Sequence, residues 1–461
     1  MTAPERGTGR AIAIVGGGFG GTALATSLLR RGVGDVAVHL VEPRPQPGWG
    51  VAYGGAEPWH ILNVPADRMS PWDETPLDFL DWAKARGPTL GWPQAAAAGP
   101  QTYLPRRLFG HYVQARFEEA RQAAAGNGPR LHLHRGSVSS IGRYDGGFIL
   151  TLAEGGAISA GQVVLATGFR PPGWPFAVVG NSPRLVRNPW APDALAAIGR
   201  NDSVLLVGTG LSMVDMIYSL SARGHRGKVT AVSRHGLLPR VHGAAEERPP
   251  LIAETDAAKG VVHSLRLFRR AVAEGAADWR SAMDALRPHI DGLWRTLSPV
   301  EQDRCRRHLK PFWEVHRHRM PAESADLLLQ RQARGLLEVK PLRVRKVEVS
   351  ETGVQVNGGF FFDHLVNCTP PAAPLGAEAD PLAKALLAAG LVRPHRTGAG
   401  FDVEPDGAIR DAEGQPVAGL FTLGPPRCGY AQETTAVPHI KPQLSELTRL
   451  LLGKAGHCSR L

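Results

Sequence analysis

The stretch AIAIVGGGFGGTALATSLLRRG, beginning at Ala11, constrains the chain most. A short apolar run enters a cluster of glycines, and behind them apolar residues recur at helical spacing. The pattern predicts a buried strand, a tight turn and a helix. Gly16, Gly18 and Gly21 stand at G-x-G-x-x-G spacing. The first suits the turn, the second leaves room for a pyrophosphate against the backbone, and the third lets helix and strand pack closely. A phosphate there meets the free N–H groups of the helix start. Then VAVHLVE predicts a second strand ending in Glu42. It lies about twenty residues on, where a carboxylate can hold adenosine ribose hydroxyls. Strand, glycine turn, helix, strand and acid in that order predict a dinucleotide-binding domain.

The theme repeats from Asp202 in DSVLLVGTGLSMVDMIYSL. Gly208 and Gly210 form the turn, Ser212 opens the helix as a further nucleotide contact, and Met213 stands at the third glycine position, which predicts looser helix packing. The next strand, in KVTAVSRHG, ends in Ser233, Arg234 and His235 where an acid would be expected. A carboxylate there repels the 2′-phosphate of NADPH, whereas arginine pairs with it. Arg234 therefore points to NADPH over NADH, or is an ordinary charged residue after a strand.

Between the two units lies GQVVLATGFRPPG, and near the C-terminus HLVNCTPP and GLFTLGPPRCGYAQETTAVPHI repeat the motif of apolar strand before small residues or proline. This order predicts an α/β protein with two Rossmann-like domains, the first interrupted by the second and completed by the tail. The expected bounds are 1–198, 199–345 and 346–461, with the two cofactors facing each other across a cleft.

Strand signals fade from Ala257 to Gly335, where apolar residues recur at helical spacing and Pro299, with Glu301 after it, marks a break and restart. This predicts a helical insertion at about 257–335 within the second domain, plausible as a substrate lid. It contains DRCRRHLKPFWEVHRHRMP, from Asp303 to Pro321. On a helix His316 and His318 diverge, and the surrounding arginines oppose a cation, so a metal site is disfavoured. Phe312 and Trp313 are neighbours and not spaced as a nucleic-acid stacking platform. What remains is a wall facing an anionic cofactor or substrate in the cleft, or a basic helix whose aromatic residues pack inward.

The 461 residues suffice for two or three domains, and 43% hydrophobic with 21% charged residues is a globular composition. A net charge of +11 favours anionic partners, phosphate-bearing cofactors among them. The cysteines, Cys305, Cys368, Cys428 and Cys458, form no C-x-x-C pair, which disfavours a disulfide framework, a structural zinc cluster and a redox dithiol. No signal-peptide pattern and no run of eighteen apolar residues occurs. The expectation is a cytoplasmic protein with no membrane insertion and no nucleic-acid partner.

The landmarks IVGGGFGG, PGWGVAYGGAEPWHILNVPADRMS, LATG, VGTGLSMVD, HLKPFWEVHRHRM and LGPPRCGYAQETTAVPHI span nearly the whole chain. In them the sequence resembles the two-dinucleotide-binding flavoproteins, and more closely a bacterial group of FAD/NAD(P)-binding proteins related to flavin-dependent monooxygenases. The resemblance implies that Gly16, Gly18, Gly21 and Glu42 contact the FAD diphosphate and ribose. It implies that Gly50, Val51, Ala52 and Tyr53, with Asn63 and Val64, form the loop passing the flavin. Thr167 and Gly168 match the small-residue turn at the entry to the nucleotide domain. Gly424 and Pro425 match the C-terminal flavin-contacting turn, with Pro425 where many relatives carry an aspartate for the ribityl chain. Read from the residues alone, GWGVAYGGAEPWHILNVP is an irregular loop whose aromatic residues either border a flavin or plug the space beneath the sheet.

A flavin beside a nicotinamide implies hydride transfer from NADPH to FAD. The electrons then pass to oxygen, through a hydroperoxyflavin that oxygenates a small polar or heterocyclic substrate, or to a quinone or protein acceptor. A flavin-binding regulatory protein is the third alternative. Within the monooxygenase reading, His316, Arg317 and His318 are the candidates to donate to the oxygenated flavin.

Overall fold

The structure, a computed structural model, describes residues 10–275, 278–372, 375 and 380–453. Cys458 lies outside them. The described chain forms two compact units, one drawn from 1–58, 64–170 and 373–461, the other from 59–63 and 171–372.

The first unit is built on a six-stranded sheet in the order 408–410, 416–422, 162–165, 10–15, 36–42, 130–135. Four of its five pairings are parallel, and the fifth is the antiparallel hairpin of 408–410 with 416–422. Strand Arg10–Val15 lies along Val36–Glu42, with Ile12 opposite Val38 and Val15 opposite Val41. Ile12, Ala13 and Ile14 are fully buried, as a parallel strand covered on both faces requires. The tail completes this sheet, because Pro416–Thr422 pairs parallel with Gln162–Leu165 and the Thr422 hydroxyl donates to the Leu165 carbonyl at 2.7 Å. Helix Phe19–Arg31 packs against Arg106–Ala123 and Val437–Leu451. Phe79, Phe109 and Tyr112 fill the space beside it, with ring centroids 5.0 to 5.6 Å apart.

In the second unit a five-stranded parallel sheet runs in the order 337–341, 229–233, 204–207, 364–367, 185–186. A four-stranded sheet, 360–362, 354–356, 346–349, 177–179, belongs to the same unit. The unit thus extends on both sides of the 199–345 read from the sequence. Leu185–Val186 pairs with His364–Asn367, and Ala177–Val179 pairs with Lys346–Val349. Ladder hydrogen bonds between segments that far apart leave no local trace in composition, so the sequence bounds were misplaced by a few tens of residues at each end.

Residues 59–63 also belong to the second unit. The Trp59 indole N–H donates to Ser219 Oγ at 3.2 Å, and His60 Nε2 lies 2.9 Å from the same oxygen and 3.1 Å from the Asp215 carbonyl. His60 is 1% exposed. The irregular loop expected around them is therefore two things: a helical turn, Gly50–Gly54, in the first unit, and a buried strap in the second.

Helices occupy the chain from Glu254–Ala257 to Ala322–Ala333. The restart at Pro299 is capped by Ser298, whose Oγ accepts the Glu301 N–H at 3.3 Å. A wider π-helical turn, Cys305–Leu309, precedes helix Lys310–Arg317. Pro311 lacks the N–H that an ordinary helical turn would use there, which accounts for the change of pitch.

Candidate dinucleotide sites

In the first unit Gly16 has φ +103°, and a Cβ on it would stand 2.5 Å from the Ala166 carbonyl oxygen and 3.4 Å from Thr167 Cα. Gly21 is more tightly enclosed, 1.9 Å from the Gly16 oxygen by the same measure. Both are glycines because this protein's own backbone fills the space. Gly18 differs. A Cβ there would meet only Gly50 Cα, at an ordinary 3.6 Å, and its backbone is extended. Nothing in the fold forbids a side chain at Gly18, so the open space fits a ligand that approaches the helix start.

The turn is braced from below. The Gly17 N–H donates to Glu42 Oε2 at 2.8 Å, and Glu42 also accepts from Arg44, through the backbone N–H at 3.0 Å and Nε at 2.7 Å. The carboxylate is 4% exposed, so its oxygens serve this chain first. Arg44 and Gly17 were not singled out in the sequence, although a basic residue two positions past the acid was the available signal.

Gly50, at φ +53°, comes back against Gly18, and the Gly48 N–H donates to the Gly17 carbonyl at 2.8 Å. Val51 and Ala52 are exposed, whereas Tyr53 is buried against Phe19 and Phe109. Tyr53 and Trp49, the latter bonded to Gln114 at 3.0 Å, thus play the packing role rather than lying open. Thr167 is exposed and Gly168 adopts φ +64°. Gly424, at φ +73°, donates its N–H to Gln443 Oε1 at 2.8 Å, with half-buried Pro425 after it. The structure therefore gathers Gly16, Gly18, Gly21, Glu42, Gly50 and Thr167 around one turn. It separates Asn63 from Val64: Asn63 falls in the second unit, its carbonyl 3.1 Å from His242 Nε2, and Val64 in the first.

The second unit repeats the arrangement. Gly208 has φ +111°, and a Cβ on it would lie 2.3 Å from the Cys368 carbonyl oxygen, but one on Gly210 would meet no atom within 4 Å. Ser212 is half-buried in the first turn of helix Leu211–Ala222. Met213 is fully buried in the core, so the third position is filled by a side chain where the first unit has a glycine. Thr209 Oγ1 lies 2.6 Å from the Leu237 carbonyl, to which it donates, and 2.9 Å from Ser233 Oγ, which accepts the Gly236 N–H at 3.0 Å. Arg234 follows, exposed, and makes no side-chain hydrogen bond or ion pair with the described residues.

In the basic stretch His316, Arg317 and His318 end helix Lys310–Arg317. His316 Nδ1 donates to the Phe312 carbonyl at 2.7 Å, and its ring stands edge-on to Trp279, centroids 5.1 Å apart. His318 turns away: Nδ1 is 2.7 Å from Glu314 Oε2, and Nε2 accepts from Arg317 at 2.8 and 3.0 Å. Burial pushes the Glu314 carboxyl up, but the hydrogen bond from His318 and the charges of Arg317 and Lys310 outweigh it and hold it well below the usual carboxylate range. Arg317 is 6% exposed. Trp313 packs with the cluster of Ile252, Ala257, Leu286 and Leu293, whereas Phe312 is 47% exposed.

Two largely parallel sheets, each with a glycine turn open to a ligand, define a two-dinucleotide-binding flavoprotein fold. Residues 13–170 match the family model for FAD-NAD(P)-binding. Nearly the whole chain superposes on solved flavoenzymes. One is the ornithine N-hydroxylase of Kutzneria sp. 744, solved with reduced FAD, NADP+ and L-ornithine, at 15% identity and a TM-score of 0.62, covering 97% of this chain and 100% of that one. Another is the ornithine hydroxylase of Pseudomonas aeruginosa, at 12% identity and 0.61, covering 96% and 99%. A third is the FAD-bound cadaverine monooxygenase of Erwinia amylovora, at 15% and 0.62, covering 96% and 94%. Likeness at such identity is one of fold. No curated protein matches the sequence. Among the described residues no helix is long and apolar enough to cross a membrane.

Proposed function

We propose that the protein is an FAD-dependent monooxygenase that oxidises NADPH, takes O2 as electron acceptor and acts on a small polar or heterocyclic molecule. The observation that carries this reading is the pair of open glycines, Gly18 and Gly210, each beside a first glycine that the backbone itself encloses. Two nucleotide sites in one chain serve a reaction in which one cofactor reduces the other. The choice of oxygen is supported by the hydroxylase and monooxygenase activities named for the three superposed structures. Among the described residues Cys305, Cys368 and Cys428 form no disulfide, and burial pushes the Cys305 and Cys368 thiols up, which disfavours a thiol relay.

In this reading the N–H groups at the start of helix Phe19–Arg31 hold the FAD pyrophosphate over Gly18. Glu42 braces that turn through Gly17, and a ribose hydroxyl reaches it by displacing or sharing with the side chain of Arg44, which is 42% exposed. The helix that opens at Leu211 receives the NADPH pyrophosphate past Gly210 and Ser212, and Arg234 pairs with the 2′-phosphate. Bound FAD supplies the passage of electrons from NADPH to O2. Of the two histidines among the candidate donors, His316 keeps a ring nitrogen outside the hydrogen bonds of the described residues: Nδ1 is committed to Phe312, leaving Nε2, whereas both nitrogens of His318 are engaged.

The test is NADPH consumption under heavy-isotope O2 with a panel of small amines and heterocycles. Product carrying one labelled oxygen atom per NADPH is the expected result. Rapid NADPH oxidation with label only in peroxide or water, across the panel and with a quinone accelerating it, would assign the protein to electron transfer. Tight FAD retention with no NADPH oxidation would make it a binding module.

A further inference from the structure

The aromatic pair Phe312–Trp313 divides its labour: Trp313 packs into the helical segment, while Phe312 leaves 47% of its surface exposed. An exposed phenylalanine on a helix that already has its apolar anchor contributes little to folding. Its surroundings explain it. The Phe312 ring lies 5.8 Å from that of His235, centroid to centroid, at an interplanar angle of 41°. His235 follows Arg234 directly beyond strand Val229–Ser233, and the Ser233–Gly236 turn is tied through Thr209 to the open glycine Gly210.

The helix bearing Phe312 is fixed to that strand end by backbone bonds. The Arg240 N–H donates to the Val315 carbonyl at 2.8 Å, the Met320 N–H to Arg240 at 2.9 Å, and the His242 N–H to Met320 at 2.9 Å. Phe312 and His235 therefore form two adjoining sides of an open corner, and the residue before His235 is Arg234, exposed and unpaired among the described residues. A flat apolar face, an imidazole tilted against it and an exposed cation at the end of the second strand suit one occupant: a purine nucleotide carrying a phosphate on its ribose.

We propose that Phe312 is the adenine-binding face of the NADPH site, so that the helical insertion completes nucleotide recognition. This rests on reading the second unit as the NADPH domain. The basic stretch that contains Phe312 then owes one of its residues to the cofactor, not to metal or nucleic acid.

The experiment is calorimetric titration of the FAD-loaded full-length protein with 2′,5′-ADP and with 5′-ADP, for wild type, Phe312→Ala, Phe312→Trp and Arg234→Ala. A base contact predicts that Phe312→Ala weakens both nucleotides by the same factor, about tenfold as expected for loss of one base-stacking partner. Phe312→Trp keeps wild-type affinity, and Arg234→Ala weakens 2′,5′-ADP selectively. If Phe312→Ala binds both as wild type does while Arg234→Ala shows its selective loss, the Phe312 assignment is overturned and the NADPH site stands. If Phe312→Ala loses only 2′,5′-ADP, it acts through Arg234 and the base contact is overturned. If wild type prefers neither nucleotide and Arg234→Ala changes nothing, the NADPH reading itself fails. Unchanged thermal melting in Phe312→Ala, expected for so exposed a ring, excludes misfolding as the cause of a loss.

Discussion

The carboxylate of Glu42 accepts the backbone N–H of Gly17 at 2.8 Å. The same junction in the second unit, between the middle residue of the turn and the last residue of the next strand, is closed by Thr209 and Ser233 at 2.9 Å. An acid and a hydroxyl pair perform one mechanical task, which frees the position beyond Ser233 to carry a cation.

Glu42→Ala is therefore expected to harm the fold as well as the cofactor. It strands a buried N–H at Gly17 and removes the partner of Arg44, a loss of about 1–3 kcal/mol. Thermal melting of the FAD-free protein checks this. A drop of several degrees in the variant is expected, whereas unchanged melting with weaker FAD retention would give Glu42 a purely ligand-binding role.

Gly16 and Gly18 should part company under substitution. Gly16→Ala forces a Cβ to 2.5 Å from the Ala166 oxygen at φ +103°, so the protein should express poorly or melt early. At Gly18 a Cβ meets no such obstacle within the chain, so the FAD-free form of Gly18→Val should melt near wild type. Its flavin occupancy should nonetheless fall to a small fraction, read from the visible absorbance of the purified protein. Full occupancy in Gly18→Val would remove the first site from the FAD assignment.

Arg234→Ala should raise the apparent Kd for NADPH by roughly one to two orders of magnitude, the value of a charge-assisted pair of about 1.5–3 kcal/mol, with little change for NADH. Stopped-flow reduction of the flavin with each nucleotide measures both. Equal losses would mean that the residue supports the turn and does not select the phosphate.

His39 stacks on His132, centroids 4.6 Å apart, and its Nδ1 lies 3.0 Å from His134 Nε2. Burial, then the charges of His132 and His134, lower its pKa to about 4. The folded protein resists a proton that the unfolded chain accepts near pH 6.5, so this group's contribution is intact above about pH 6.5 and is lost as the pH falls from there toward 4. Melting temperature against pH should decline across that window, and less steeply in His39→Gln. Identical slopes would show that His132 and His134 relax away from the charge.

What the sequence made legible is what depends on neighbours along the chain. The glycine turns follow from spacing, and so does the cation at 234, because turn, helix and strand end are consecutive. The tail's return to the first sheet was legible too, as a third strand-and-turn motif with no domain of its own. The distinction between Gly16 and Gly18, one enclosed by Ala166 and the other open, required a partner about 150 residues away. Likewise Phe312 and His235 meet across the whole helical segment, and the pairing of Ala177–Val179 with Lys346–Val349 moved the domain edge. Such contacts are decided by tertiary packing, which leaves no periodic mark.

The strap at residues 59–63 bears on how the protein can be taken apart. A fragment spanning 171–372 contains both sheets of the second unit, yet it lacks the imidazole of His60 and the indole of Trp59, and so exposes the face of helix Leu211–Ala222 at Ser219 that they cover. Excising that fragment at its two obvious ends would leave a gap beside helix Leu211–Ala222 that five residues, encoded more than a hundred codons upstream, normally fill. A soluble second unit calls for those five residues to be grafted back onto the fragment, a modular exchange that ordinary end-to-end domain fusion does not offer.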